Sequence, residues 1–262
     1  MSLHGGDRQS LESSNIVADG NVISKFSNWK RTYNPGVFFN GVGIHISNND
    51  ISGSPHQGIF GFEANDMLVQ GNYLHDLCFE ASDSGAFYVG RSWSERGNIV
   101  RNNIFENVRP LSQTWLGYLV VMGIYLDDEM SGYKLENNTF INVQQGILIG
   151  GGRDNIVTDN LFVDCDSGIE FDNRGLGWDT MNCPPGGPFD IDLQSFDYKV
   201  GVWAEKYPEV VSTFDVDSGS KPCTPQYNTI KNNKFCRVQN NVDAYAEAAD
   251  DNILENNVDY EC

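Results

Sequence analysis

A short pattern of polar and hydrophobic positions recurs seven times along the chain. Each copy has a polar pair that ends in Asn and is flanked by hydrophobic residues, as in "VRNNIF" and "LENNTF". The recurring asparagines are Asn49, Asn72, Asn103, Asn138, Asn160, Asn233 and Asn257. Consecutive copies lie 23, 31, 35, 22, 73 and 24 residues apart. A minimum spacing with occasional longer gaps predicts a solenoid in which loops are inserted at some turns.

Within each repeat the hydrophobic positions predict strands. In "YKLEN", Tyr133 and Leu135 share one face of a strand, and the Asn that follows is suited to a tight turn. A second strand then begins at a glycine, and we align these glycines as Gly58, Gly85, Gly123, Gly146 and Gly168. Stacked copies should form an asparagine ladder and an interior file of Phe105, Phe140, Phe162 and Phe235. The pattern therefore predicts an all-β, right-handed parallel β-helix of about seven or eight coils.

We expect residues 1–262 to form a single β-helix domain, because the chain is 262 residues long and 40% hydrophobic. The longest gap predicts a loop insertion at about 174–225, with shorter insertions after Arg91 and at 109–120. Solenoids tend to collect insertions on the binding face. There is no run of about 18 apolar residues, and no signal peptide is visible at the start.

The net charge limits the partners. With 17 Lys and Arg against 36 Asp and Glu, the formal charge is −19. Nucleic acid and anionic membranes are therefore not expected to bind, because they require clustered cations. A neutral polysaccharide or oligosaccharide suits the composition better, and we expect a monomer.

The six cysteines include no C-x-x-C pair, which argues against a zinc or redox centre. Cys183 and Cys223 bracket the large insertion, and Cys236 and Cys262 fall on the last two coils, so each pair could form a disulfide. We expect Cys78 and Cys165 to be buried thiols of the core.

Counting four residues from the aligned glycines gives the first candidate site. Gly123 leads to Asp127, Gly146 to Gly150 and Gly168 to Asp172. We expect these three to form one file across adjacent coils, with a side-chain-free notch between carboxylates that could hold a sugar ring. Asp128 follows Asp127 directly, and carboxyl pairs of this kind serve glycosidases. The same acids could instead bind calcium or be solvated turn residues.

A second cluster lies in "CFEASDSGAFYVGRSW", where Glu80, Asp83, Arg91 and Trp93 combine acids, a cation and an aromatic ring. Such groups suit the hydroxyls and the apolar faces of sugars. The simple register separates Asp83 from Asp127 along the strand direction, because Asp83 precedes its glycine. His56, in "SPHQG", is a third candidate, although a single His in a turn is commonly structural.

Residues 26–203 contain stretches, including "GAFYVGRSW", "YLDD", "GGGRDN" and "RGLGWD", that resemble glycoside hydrolase family 141. This family comprises β-helical α-L-fucosidases and xylanases with the pectate-lyase-like fold. The resemblance implies a secreted hydrolase of plant or algal cell-wall polysaccharides. Because members of this family usually have further N-terminal coils, the resemblance also leads us to expect that this chain lacks them. By motif position it implies catalytic aspartates at Asp83 and at Asp128 or Asp127.

The leading hypothesis is therefore a glycoside hydrolase that needs no cofactor. We expect the sugar to be positioned by Arg91, Trp93, Arg153, Asp154 and Asp172. One alternative is a polysaccharide lyase or epimerase, which needs a basic residue such as Arg91 or Arg153 and often calcium. The other is a non-catalytic glycan-binding or structural solenoid.

Overall fold

Three parallel sheets run the length of the molecule, and each coil contributes one strand to each sheet. The computed structural model describes residues 1–111, 120–215, 217, 219–245 and 251–262, and most of the insertion predicted at 109–120 lies outside them. The described residues form 24 strands, numbered here along the chain. Eight coils result, which confirms the predicted parallel β-helix.

The first sheet carries the longest strands and the candidate site. Its strands are β1 (Ser2–Gly5), β4 (Val37–Val42), β7 (Ile59–Asn65), β10 (Ser84–Gly90), β13 (Val121–Asp127), β16 (Gln145–Gly150), β19 (Ser167–Asp172) and β22 (Asn240–Ala244).

The other two sheets consist of shorter strands. The second contains β2 (Val17–Asp19), β5 (His45–Ser47), β8 (Leu68–Gln70), β11 (Asn98–Arg101), β14 (Tyr133–Glu136), β17 (Ile156–Thr158), β20 (Thr229–Lys231) and β23 (Ile253–Glu255). The third contains β3 (Val22–Ser24), β6 (Asp50–Ser54), β9 (Tyr73–Leu77), β12 (Ile104–Val108), β15 (Thr139–Ile141), β18 (Leu161–Val163), β21 (Lys234–Cys236) and β24 (Val258–Asp259).

The asparagine ladder forms at the turn between the second and third sheets. Asn138 is typical: its Oδ1 accepts hydrogen bonds from the backbone N–H and the Nδ2 of Asn103, at 3.1 and 3.0 Å. Its Nδ2 donates to the carbonyl of Val100 at 2.9 Å. The same bonds join all seven predicted asparagines, and Asn21 adds a further rung that the sequence pattern did not reveal. The ladder thus satisfies buried backbone groups at each turn.

The predicted phenylalanine file is also confirmed. Rings of Phe105, Phe140, Phe162 and Phe235 stack nearly parallel, with centroid distances of 5.0, 4.7 and 5.0 Å. A Cβ on Gly146 would lie 2.3 Å from the ring of Phe162, so close ring packing explains that glycine.

The alignment of Gly85 with Gly123 is wrong by one position. Phe87 pairs with Ile124, and Gly85 therefore pairs with Met122. The pairing follows the core, because the side chains of Phe87 and Ile124 are both fully buried.

The insertion at 174–225 is folded rather than a plain loop. It contains helices α1 (Pro188–Gln194) and α2 (Gly201–Lys206) and two 3-10 turns, Arg174–Leu176 and Pro208–Val210. A disulfide between Cys183 and Cys223 closes it, as predicted, and the second predicted pair, Cys236 and Cys262, is also bonded. The insertion has its own hydrophobic cluster, which packs on the solenoid.

The two remaining cysteines, Cys78 and Cys165, are buried and unpaired in the core, as expected. None of the helices in the described ranges is long and apolar enough to cross a membrane.

Candidate functional site

A file of side chains crosses the outer face of the first sheet, one from each of the seven coils that follow the first. The register places Phe38, Phe60, Tyr88, Tyr125, Leu148, Glu170 and Asp243 side by side. Neighbouring strands of a sheet lie about 4.8 Å apart, so these residues form a continuous line along the solenoid. The line is aromatic at the N-terminal coils and acidic at the C-terminal coils.

Beside this line, three aspartates and two arginines form what we call the acid–arginine cluster: Asp127, Asp128, Asp172, Arg91 and Arg174. Arg174 Nη1 contacts Asp127 Oδ1 at 2.7 Å and Asp128 Oδ1 at 3.0 Å, and its Nη2 contacts Asp172 Oδ2 at 2.6 Å. Arg91 pairs closely with Asp128 and lies 3.5 Å from Asp127 Oδ2. Two guanidinium groups therefore hold three carboxylates together.

Burial within the cluster is uneven. Asp127 and Asp128 are 5% and 3% exposed, and Arg174 is 7% exposed. The side chain of Arg91, in contrast, is 60% exposed and lies over the two aspartates. Arg91 is therefore the exposed member of an otherwise enclosed group.

The expected file of Asp127, Gly150 and Asp172 does form, since Leu126 pairs with Ile149 and Gly150 pairs with Asp172. The notch at Gly150 is not open to a sugar, however. A Cβ on Gly150 would lie 2.4 Å from Arg174 Cζ, so the guanidinium fills the space that the glycine leaves. The space that we predicted would hold a sugar ring is therefore occupied by the guanidinium group of Arg174.

The register does separate Asp83 from Asp127 along the strand, because the backbone of Asp83 bonds to Val120. A tyrosine nevertheless links Asp83 to the cluster. Tyr125 Oη donates to Asp83 Oδ1 at 3.1 Å, and the Arg174 guanidinium lies over the Tyr125 ring at 6.0 Å from its centroid. The candidate aspartates thus belong to one connected network.

A groove with a volume of about 410 Å³ runs along this part of the first sheet. Among the described residues, its charged lining consists of one cation and five acids: Arg174, Asp83, Asp166, Glu170, Asp172 and Asp243. Tyr125, Met122 and Leu148 supply apolar surface. An acidic groove of this kind disfavours a polyanionic ligand and favours a neutral one.

Asp128 has an altered protonation equilibrium. Burial, and next the charge of Asp127, raise its pKa to about 6, although Arg91 and Arg174 act in the opposite direction. Burial lowers the pKa of Arg174, but the hydrogen bonds and the charge of Asp172 raise it by more. The pKa of Arg174 therefore lies above its usual value. Asp128 can therefore carry a proton near pH 6 while both arginines remain cations.

Glu129 lies beneath the cluster and is fully buried. Neither of its carboxyl oxygens has a hydrogen-bond partner among the described residues. Burial, together with the charges of Asp179 and Asp128, raises its pKa to about 9. Glu129 is therefore protonated at neutral pH and adds no charge to the cluster.

Three residues that we expected to position a sugar are enclosed by the insertion instead. Trp93 is 1% exposed, stacks on Phe189 and donates from Nε1 to the Glu129 carbonyl, so its face cannot bind a sugar. Arg153 is 1% exposed and donates to Thr213 and Ser220 of the insertion. Asp154 pairs with Arg153 and with the buried Arg96, each at 3.3 Å. Trp93 and Arg153 therefore fasten the insertion to the solenoid, and Asp154 pairs with Arg153 beside them.

The other two candidates, His56 and Glu80, belong neither to the groove lining nor to the acid–arginine cluster. His56 is buried, and its Nδ1 lies 3.5 Å from Ser84 Oγ, next to Asp83 in the chain. Burial lowers the pKa of His56. Glu80 is exposed and accepts a hydrogen bond from Arg31 at 2.8 Å.

Among the residues that the structure describes, no group of three or more His, Cys, Asp or Glu side chains is arranged to hold a metal ion. In the acid–arginine cluster the Arg174 guanidinium lies where a cation between the carboxylates would lie.

Sequence reasoning missed Arg174, Tyr125 and Glu129. Strand alternation in "GIYLDD" places Tyr125 and Asp127 on one face, and Glu129 completes the acidic run "DDE". Both could have been found from those signals. Arg174 lies only two residues beyond Asp172, but nothing in the sequence indicates that it folds back onto Gly150.

The comparisons with known proteins agree with the fold. The profile of the right-handed β-helix region family matches residues 35–182, more than half of the chain. No curated protein and no solved structure gives a significant match.

Proposed function

The chain belongs to the right-handed β-helix family, and from this premise we propose that it is a glycoside hydrolase acting on a neutral glycan in the groove. The observation that carries the proposal is the carboxyl pair of Asp127 and Asp128 beside that groove, with the pKa of Asp128 at about 6. A pair in which one acid holds a proton and the other is ionised is what glycoside hydrolysis requires.

The spacing of the pair fits this chemistry. Both Oδ1 atoms contact the same nitrogen of Arg174, so they are no more than about 6 Å apart. Retaining glycosidases have carboxyl groups about 5–5.5 Å apart and inverting ones about 6.5–9.5 Å apart. The short spacing favours the retaining route.

In that route Asp128 gives its proton to the leaving oxygen as the glycosidic C–O bond breaks. Asp127 bonds to the anomeric carbon, and water then releases the sugar while Asp128 recovers its proton. Arg91 must swing aside for the glycan to reach the pair. Arg174 continues to hold both aspartates during this movement, and the 60% exposed side chain of Arg91 remains in contact with water.

Other groove residues would bind the sugar. Asp83, Glu170 and Asp172 line the groove and supply acceptors for hydroxyl groups. Trp178 is 69% exposed and lies 5.4 Å from the Arg174 guanidinium, so it can offer the aromatic face that Trp93 cannot. The finer resemblance to glycoside hydrolase family 141 remains part of this proposal.

A lyase or epimerase is less well supported. Both cluster arginines are held as cations, since neighbouring carboxylates raise the pKa of Arg91 and of Arg174. Neither is suited to accept a proton. The acidic groove also disfavours uronate polymers.

A non-catalytic glycan-binding solenoid is the second candidate, and one observation favours it. Asp127 and Asp128 are nearly enclosed and fully ion-paired, as structural carboxylates commonly are.

One assay separates these functions. The purified protein is incubated at about pH 6 with arabinoxylan, xyloglucan, galactomannan, pectin and alginate. New reducing ends and the absorbance of unsaturated sugars are both measured. We expect reducing ends from a neutral polysaccharide without unsaturated product. Unsaturated product would identify a lyase, and binding without turnover would identify the non-catalytic solenoid.

A further inference from the structure

An aromatic surface lies on the second and third coils, outside the groove. It consists of Tyr33, Phe38, Phe60 and Phe62, which we call the aromatic platform. Tyr33 and Phe62 are 54% and 43% exposed, and Phe38 and Phe60 are half-buried. The distances between ring centroids are 5.8 Å for Phe38–Phe60, 5.3 Å for Phe38–Phe62 and 6.1 Å for Tyr33–Phe60. The four rings form one contiguous patch.

The platform and the groove lie on the same face of the first sheet. Tyr125 lines the groove, and its ring centroid lies 5.2 Å from that of Tyr88. The Tyr88 ring centroid in turn lies 5.5 Å from that of Phe60 in the platform. A row of neighbouring aromatic rings therefore joins the platform to the groove.

Hydrogen-bonding side chains border the rings. On one side Asn40 donates to Glu63 at 3.0 Å, and on the other Arg31 donates to Glu80 at 2.8 Å. Aromatic faces beside amide, carboxylate and guanidinium groups suit sugars, because sugar rings have apolar C–H faces and polar edges.

We propose that the aromatic platform is a further carbohydrate-binding site, which binds the rings of a neutral glycan whose other end lies in the groove. This inference rests on the proposed function and deepens it, because it makes the substrate a polymer rather than a short sugar. A glycan suits the platform better than a protein surface does, because Phe38 and Phe60 lie in the same line of side chains as Tyr125 of the groove. A linear polymer can follow such a line.

The test compares Tyr33→Ala/Phe62→Ala with Tyr260→Ala. Tyr260 is similarly exposed, at 47%, but follows β24 of the third sheet and is a matched control. Circular dichroism checks that each variant is folded. Binding is measured by calorimetry with arabinoxylan, xyloglucan and galactomannan, and with disaccharides prepared from each.

The double variant should bind the preferred polysaccharide about 4–100-fold more weakly, since one aromatic contact accounts for roughly 2–10-fold. Disaccharide binding and the Tyr260→Ala variant should not change. Unchanged polysaccharide affinity in the double variant would overturn the inference. Absence of glycan binding by the wild type would also overturn it and would leave a protein as the partner of the platform.

The two proposals can fail separately. Polysaccharide binding that depends on the platform, without any hydrolysis, supports this inference and contradicts the hydrolase. Hydrolysis with normal polysaccharide binding in the double variant supports the hydrolase and overturns this inference.

Discussion

Asp128→Asn should lower kcat on the preferred neutral polysaccharide by about 10²–10⁴-fold, the usual contribution of a general acid. The amide has almost the size of the carboxyl group but cannot give up a proton to the leaving oxygen. It can still meet Arg174 and Arg91, so folding should be preserved. Reducing-end release at saturating substrate measures the change.

Asp159→Asn is the matched control for this variant. Asp159 is an exposed aspartate at the turn between β17 and β18, away from the first sheet, and the same isosteric change there should leave kcat unaltered. Full activity in Asp128→Asn would remove Asp128 from the reaction and leave Asp83 as the next candidate.

Arg174→Ala should lower the free energy of unfolding by about 3–5 kcal/mol, the usual cost of removing one partner from a buried ion pair. Arg174 is 7% exposed and bonds to Asp127, Asp128 and Asp172, so its loss leaves three carboxylates facing one another. Urea denaturation followed by fluorescence measures the change. The effect should shrink as the pH falls through about 6, because Asp128 becomes protonated and no longer repels the other two carboxylates.

Arg91→Ala provides the comparison within the same cluster. Its side chain is 60% exposed, and Arg174 still holds Asp127 and Asp128 when Arg91 is removed, so the loss should be only about 1 kcal/mol. Equal effects of the two substitutions would show that Arg174 does not hold the cluster together.

The sequence was most informative for residues whose contacts recur at the same position in successive coils. The bonds of Asn138 and the packing of Phe162 recur at each turn, and local periodicity therefore predicts them. The file of Asp127, Gly150 and Asp172 was predicted for the same reason, because counting from Gly146 and Gly168 follows the register.

Prediction failed where the insertion meets the solenoid. Trp93 and Arg153 look like sugar-binding residues in the sequence, yet α1 packs on Trp93, and Thr213 and Ser220 of the insertion bond to Arg153. Arg174 folds back over Gly150 because its loop is fixed by tertiary contacts, including the Cys183–Cys223 disulfide. Such contacts occur once in the chain and leave no periodic signal.

The most direct test of the central claim is the pH dependence of kcat/KM for the wild type and Arg91→Ala. Asp128 must be protonated to act, so kcat/KM should fall as pH rises through about 6. Because Arg91 lowers the pKa of Asp128, its removal should move this falling limb to higher pH. A limb that stays in place in Arg91→Ala, or hydrolysis that increases through that range, would contradict Asp128 as the acid of the site.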